Sequence, residues 1–130
     1  MTPKGTSPHA VERRAAFKRG VKAERLCAWW LRLHGYRILG RNLLTPGGEI
    51  DILARRGRTV VIVEVKRRGS LMGAGEAVSA GKRRRLSRAA AFVLSTLPQA
   101  NQLNVRFDAM LVSPGRLPVH IRDAWRPGAG

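Results

Sequence analysis

The sequence lacks most of what a disulfide scaffold, a thiolate metal cage or a membrane span requires. It contains one cysteine, Cys27, which excludes an internal disulfide and a cage built from several thiolates. No apolar run approaches the ~20 residues that cross a bilayer. The first residues, MTPKGTSPHA, include no apolar segment of the kind found in signal peptides. We therefore expect a soluble cytoplasmic protein with no membrane partner.

Acidic residues are also scarce. The chain has 8 Asp and Glu against 25 Lys and Arg, which gives a formal net charge of +17. Such an excess favours a polyanionic partner, because each phosphate that a basic side chain neutralises releases counterions. DNA is the expected partner and RNA the alternative. An anionic lipid surface, or an arginine-rich surface without a ligand, would explain the charge less specifically.

The length of 130 residues fits one domain, and a hydrophobic fraction of 44% is enough to build a core. Prolines, a glycine and small polar residues at the start predict a flexible arm over 1–8. A single domain is expected over 9–126, followed by a tail at 127–130.

Hydrophobic periodicity and turn residues predict two helices and five strands. The expected helices are Pro8–His34, ended by Gly35, and Ser79–Leu97, ended before Pro98. The expected strands are Tyr36–Asn42, Glu49–Arg55, Thr59–Lys66, Leu103–Val112 and Val119–Trp125, with a glycine-rich loop at Gly69–Gly75. The order α-β-β-β-α-β-β favours an α/β fold with a mixed central sheet flanked by helices.

The second and third strands are predicted to form a hairpin. A two-residue turn at Gly57-Arg58 pairs Asp51 with Glu64 and Glu49 with Lys66. Strict alternation would place these four side chains on one face, with Ile50 and Ile52 on the other face.

Directly opposed carboxylates repel unless a cation lies between them. Asp51 and Glu64, with waters and a substrate phosphate, would suit octahedral Mg²⁺ or Mn²⁺, and Lys66 could position a water or stabilise charge on the phosphate. The alternative is an ordinary Glu49–Lys66 ion pair beside solvated carboxylates. Glu64 argues against that alternative, because it interrupts the apolar run Val-Val-Ile-Val-Glu-Val.

Glu24 is a second unusual acid, since it lies within an apolar stripe of the first helix. It either reaches toward the metal as a third acid or pairs with a basic side chain. The histidines His9, His34 and His120 lack metal-ligand spacing, Cys27 suits a core position, and Asp108 is expected to pair with an arginine in the sheet.

Gly48-Glu49-Ile50-Asp51 followed by Val63-Glu64-Val65-Lys66 resembles the core of PD-(D/E)XK nucleases. Over residues 17–112 the chain is similar to the YraN family of small bacterial proteins, which are related to archaeal Holliday-junction resolvases of restriction-endonuclease-like fold. Beyond the two core segments, the matching positions are Gly20-x-x-x-Glu24, Gly35-Tyr36, Arg41-Asn42, Lys82 and Arg106-Phe107-Asp108.

The resemblance implies a role for each matched residue. Asp51 and Glu64 would bind Mg²⁺, Lys66 would assist the attacking water, and Glu24 would be a helix-borne acid. Glu49 would be a secondary catalytic candidate outside the metal's direct ligands, and Lys82 would face phosphate. The basic residues expected to contact nucleic acid are Arg41, Arg56, Arg58, Arg67, Arg68, Lys82 and Arg83.

The expected function is hydrolysis of phosphodiester bonds in DNA, including branched DNA, by a metal-dependent endonuclease. A four-way junction as substrate would require two active sites and hence a homodimer. The alternative is a catalytically inactive nucleic-acid-binding or architectural module of the same fold.

Overall fold

The computed structural model describes residues 22–67 and 79–127. Helix α1 occupies 22–33 of the first range and is followed by three strands. The remaining elements are β1 (Arg37–Thr45), β2 (Gly48–Arg56), β3 (Thr59–Arg67), α2 (Ala80–Thr96), a short 3-10 helix (Ala100–Gln102), β4 (Asn104–Val112) and β5 (Val119–Trp125). The predicted arm at 1–8, the Gly69–Gly75 loop and Arg68 lie outside the described residues.

The five strands form one sheet in the order β1-β2-β3-β4-β5. Neighbours are antiparallel except β3 and β4, which are parallel and are connected through α2. A parallel pair requires such a crossover, because the chain must return to the same end of the sheet. The predicted α/β fold and its element order are confirmed.

The β2–β3 hairpin has the predicted register over its outer half. Paired residues run from Arg56–Thr59 beside the turn to Ile52–Val63. The turn residue Gly57 has φ +60°, the left-handed conformation that a two-residue hairpin turn favours and that glycine adopts without strain. The turn chemistry therefore sets which residues of β2 and β3 face each other.

Beyond Ile52 the strict alternation predicted for β2 is wrong. Ile50 packs in the same hydrophobic cluster as Leu53, whereas Ile52 and Ala54 belong to the other cluster. The physical reason lies at Asp51, whose carboxylate accepts the backbone N–H of Val65 at 2.9 Å. A side chain therefore satisfies this amide of β3 beyond the point where the backbone pairing of β2 with β3 ends.

Two hydrophobic clusters cover the two faces of the sheet. On one face Leu86, Ala89 and Val93 of α2 pack on Val60 and Ile62 of β3, together with other residues of that cluster. On the opposite face Cys27, Ala28 and Leu31 of α1 pack beside Val61 and Val63 of β3. Because β3 is buried on both faces, its continuous β-branched run is explained.

The second helix begins and ends close to its predicted limits. The side chain of Ser79 accepts the N–H of Lys82 at 3.2 Å and caps the first turn. The helix ends at Thr96, before Leu97 and Pro98. β1 is longer than the predicted Tyr36–Asn42, because its pairing with β2 continues to Thr45–Gly48. No helix in these two described ranges is long and apolar enough to cross a membrane.

Candidate metal and nucleic-acid site

Acidic and basic side chains meet in a cleft at the C-terminal end of β3. α1 contributes Lys22 and Glu24 to its lining, β2 contributes Asp51, β3 contributes Glu64 and Lys66, and α2 contributes Lys82. The connection from β4 to β5, residues 113–117, closes another side of the cleft. Four elements therefore bring six of the predicted site residues into one place: Glu24, Asp51, Glu64, Lys66, Arg67 and Lys82.

Glu64 lies at the centre of this arrangement and is only 2% exposed. Its Oε1 accepts a hydrogen bond from the ammonium group of Lys82 and lies 3.5 Å from Nζ of Lys66. Its Oε2 is buried and has no hydrogen-bond partner. Burial, and then the charge of Asp51, raise the pKa of Glu64 to about 7 against the opposing effect of Lys82. A buried acid with an unpartnered oxygen can accept a further cationic ligand.

Asp51 connects the acidic groups of the cleft. Its carboxyl group is within hydrogen-bonding reach of Glu64, and its negative charge also acts on Glu24. The contact with the Val65 amide fixes one of its oxygens. Asp51 and Glu64 thus meet as side chains, as predicted, although the backbone register expected for them ends at Ile52–Val63.

Glu24 approaches the same cleft from α1 and is 8% exposed. Burial and the charge of Asp51 raise its pKa, opposed by a hydrogen bond with the Asn42 side chain. Its Oε2 is buried without a partner. Glu24 therefore lies near Asp51, and the charge of Arg41 opposes the effect of Asp51 by lowering the pKa of Glu24.

Asn42 is a site residue to which sequence reasoning assigned no role. It lies in β1 with φ +50°, a left-handed conformation that asparagine tolerates better than most residues, and its side chain bonds Glu24. The 113–117 connection was also missed. An asparagine inside a predicted strand was the available signal for the first, and nothing in the sequence pattern indicated the second.

Glu49 does not take the partner expected for it. It is exposed and pairs across the backbone with Leu44 of β1, while Lys66 forms its ion pair with Glu64. The backbone pairing of β2 with β3 ends at Ile52–Val63, before it reaches Glu49. Glu49 still contributes charge near Glu24, whose pKa it raises.

Lys82 lies in the first turn of α2, and its ammonium group contacts Glu64. Its contact with phosphate stays a prediction. Burial would lower the pKa of Lys82, but the bond and charge of Glu64 raise it. Lys82 and Lys66 together neutralise the buried acid in this structure.

Those of the predicted basic contacts that lie in the described ranges are found at several places on the molecule. Arg67 and Lys82 line the cleft, and Arg41 acts on Glu24 electrostatically. Arg56 and Arg58 lie at the turn of the β2–β3 hairpin, at the other end of these strands; Arg56 stacks 4.4 Å above the centre of the Tyr36 ring. Arg83 lies 5.8 Å from the centre of the Trp125 ring.

A single ion held by three protein side chains is not supported. Within 22–67 and 79–127, no three His, Cys, Asp or Glu side chains are arranged to hold one metal ion. Asp51 and Glu64 are two oxygen donors in contact, and Glu64 has a free buried oxygen. This donor set fits a magnesium-type ion, which keeps several waters and binds through one or two carboxylates.

A second polar network lies away from the cleft, around Asp108. Its carboxylate accepts two bonds from Arg106 at 2.8 Å, contacts Nε2 of His120 at 2.6 Å and accepts the Asp123 amide at 2.9 Å. The pairing of β4 with β5 is irregular at this point, so the carboxylate satisfies an amide that the ladder leaves open. The predicted pairing of Asp108 with an arginine is confirmed.

Comparison with known proteins gives a consistent family assignment. Residues 23–112 match the family described as "Uncharacterised protein family UPF0102". A UPF0102 protein of Parvibaculum lavamentivorans is 50% identical over 113 residues, which are 87% of this chain and 85% of the relative. A UPF0102 protein of Rhizorhabdus wittichii is 47% identical over 116 residues, which are 88% of this chain and 98% of the relative. The span that the family matches, residues 23–112, contains the positions of Glu24, Asp51 and Glu64.

Proposed function

Because the chain belongs to the uncharacterised protein family UPF0102, whose matched region holds the acidic cleft, we propose that it is a metal-dependent endonuclease acting on DNA. The substrate class follows from the net charge of +17, which favours a polyanion. Branched DNA is the expected form, as the similarity to junction resolvases implies.

One observation carries the proposal: two carboxylates in contact, Asp51 and Glu64, line a cleft together with two lysines, and Glu64 keeps a buried oxygen without a partner. A protein that only gripped phosphates would gain nothing from acids there, because they repel the ligand. Acids beside lysines in a basic protein suit a site that handles both a cation and a phosphate.

Each residue of the cleft has a defined role in this proposal. Asp51 and Glu64 would hold a divalent cation, which supplies Lewis-acid activation of the phosphodiester and of water when bound. Lys66, 3.5 Å from Glu64, places a positive charge where negative charge develops on the phosphate. Glu24, whose pKa is raised by burial, can orient a water or hold a proton at its free Oε2.

The test is a cleavage assay on labelled branched, nicked, single-stranded and linear DNA and on RNA, with Mg²⁺, Mn²⁺ or EDTA. Asp51→Asn, Glu64→Gln and Lys66→Met should each reduce metal-dependent cleavage by about 10²-fold or more. Asp123→Asn is the matched control for loss of an acid, because Asp123 is exposed and pairs with Arg126 outside the cleft. Arg122→Met is the control for loss of a base.

Cleavage by wild type and both controls, lost in the three cleft variants, would support the enzyme and name its substrate. Binding of every substrate without cleavage, unchanged by Asp51→Asn, would instead favour the inactive binding module.

A further inference from the structure

Lys82 occupies the place in which a metal-binding carboxylate pair would need positive charge. Its ammonium group contacts Oε1 of Glu64, and its charge also interacts with Asp51. We propose that Lys82 is a displaceable internal counter-cation: it neutralises the carboxylate pair in the metal-free protein and leaves Glu64 when a divalent cation binds. This inference rests on the proposed function.

Exposure of the two partners identifies which one moves. The Glu64 side chain is 3% exposed, whereas that of Lys82 is 32% exposed. A lysine side chain that is already about a third exposed can turn its flexible stem and rehydrate its ammonium group at little cost. Glu64 is held in β3 between two packed faces and cannot follow it.

The position of Lys82 in α2 also makes its contact reversible. It lies in the first turn, where Ser79 caps its backbone N–H and where no acidic side chain is present. A cation at the N-terminus of a helix is disfavoured by the helix dipole. The attraction of Glu64 therefore offsets an unfavourable position, which lowers the net cost of moving the ammonium group away.

The two lysines on Glu64 are not equivalent. Lys82 makes the direct contact, while Nζ of Lys66 remains 3.5 Å from the same oxygen. If Lys82 leaves, Lys66 is still beside the site and keeps the position that the proposed chemistry needs. The competition with an incoming cation should therefore be specific to Lys82.

Isothermal titration calorimetry with MnCl₂ tests the proposal without any cleavage, at one mildly alkaline pH. Lys82→Met removes the competitor, so the dissociation constant for Mn²⁺ should fall about tenfold, the equivalent of one charge-assisted hydrogen bond. In Lys82→Gln the dissociation constant for Mn²⁺ should fall similarly, and this second variant controls for a packing defect in Lys82→Met. Lys22→Met is the matched control, because Lys22 lines the same cleft and the described residues show no ion pair between it and Glu64.

The outcomes separate this inference from the proposed function. Tighter Mn²⁺ binding in both Lys82 variants, unchanged in Lys22→Met and abolished by Asp51→Asn, supports displacement. Equal affinity in wild type and the Lys82 variants overturns displacement while leaving the metal site intact. Weaker binding in the Lys82 variants also overturns it. Absence of Mn²⁺ binding in all proteins would remove both the displacement and the metal site.

Discussion

At the scale of single residues, Asp108 shows how much one buried charge can contribute to stability. It is fully buried, and burial alone would raise its pKa, but bonds from His120, Arg106 and the Asp123 amide together lower it. A carboxyl group with a lowered folded-state pKa stabilises the protein above its unfolded pKa, near 4 for Asp. That contribution is lost as the pH falls through the folded-state pKa.

Asp108→Asn should therefore lower the free energy of unfolding by about 3–5 kcal/mol at neutral pH, because Arg106 is left uncompensated. The variant should also lose less stability in acid than wild type. Urea unfolding at neutral and acidic pH measures both effects, and Asp123→Asn, an exposed neighbour, is the control. A wild-type-like pH profile in Asp108→Asn would contradict this assignment.

Single residues also mark the limit of sequence reasoning at the site. The meeting of Asp51 with Glu64 could be predicted, because acids in two adjoining strands are unusual enough to stand out. The lysine that contacts Glu64 could not. Whether Glu64 meets Lys66 or Lys82 depends on where the first turn of α2 lies against β3, and this is tertiary packing. The bond from Asn42 to Glu24 is likewise set by packing between α1 and β1.

At the scale of elements, Gly47 shows why the β1–β2 turn lies where it does. A Cβ at this position would lie 2.6 Å from the Ala89 amide nitrogen and 2.7 Å from Cβ of Arg88, so the turn rests directly on α2. Backbone atoms cannot yield as a flexible side chain can. Gly47→Ala should therefore destabilise the protein by about 1–3 kcal/mol. Gly81→Ala within α2 is the matched control, because its Cβ would meet only arginine side-chain ends at 3.8 Å or more; it should be neutral or stabilise by up to about 1 kcal/mol. Thermal unfolding of Gly47→Ala and Gly81→Ala measures both effects. Equal melting temperatures of the two variants would show that the turn can move off the helix.

Elements were also the part of the fold that the sequence predicted best. Periodicity and turn residues are local signals, so the limits of β5 and the hairpin turn at Gly57-Arg58 were correct, and those of α2 were correct to within one residue. The end of the β2–β3 pairing before Asp51 was not predicted, because there a side chain bonds the backbone of the neighbouring strand. Local alternation contains no information about such a contact.

At the scale of the whole molecule, the net charge of +17 predicts steep salt dependence of DNA binding. Arg58 lies in the hairpin turn, beyond Thr59, and five residues of strand, about 17 Å, separate Thr59 from Glu64. That span corresponds to about 5 base pairs of duplex.

On a long duplex, Arg58→Ser should reduce the slope of log K against log salt by about 0.9, the value of one phosphate contact. On a duplex too short to reach from the cleft to the turn, the same variant should have no effect. Fluorescence anisotropy in EDTA over a salt series measures the slopes separately from any cleavage. Arg122→Ser, on the β5 edge of the sheet, is the control for general loss of charge. If Arg58→Ser and Arg122→Ser change the slope equally on both duplexes, the turn makes no specific contact and the charge acts only through its total.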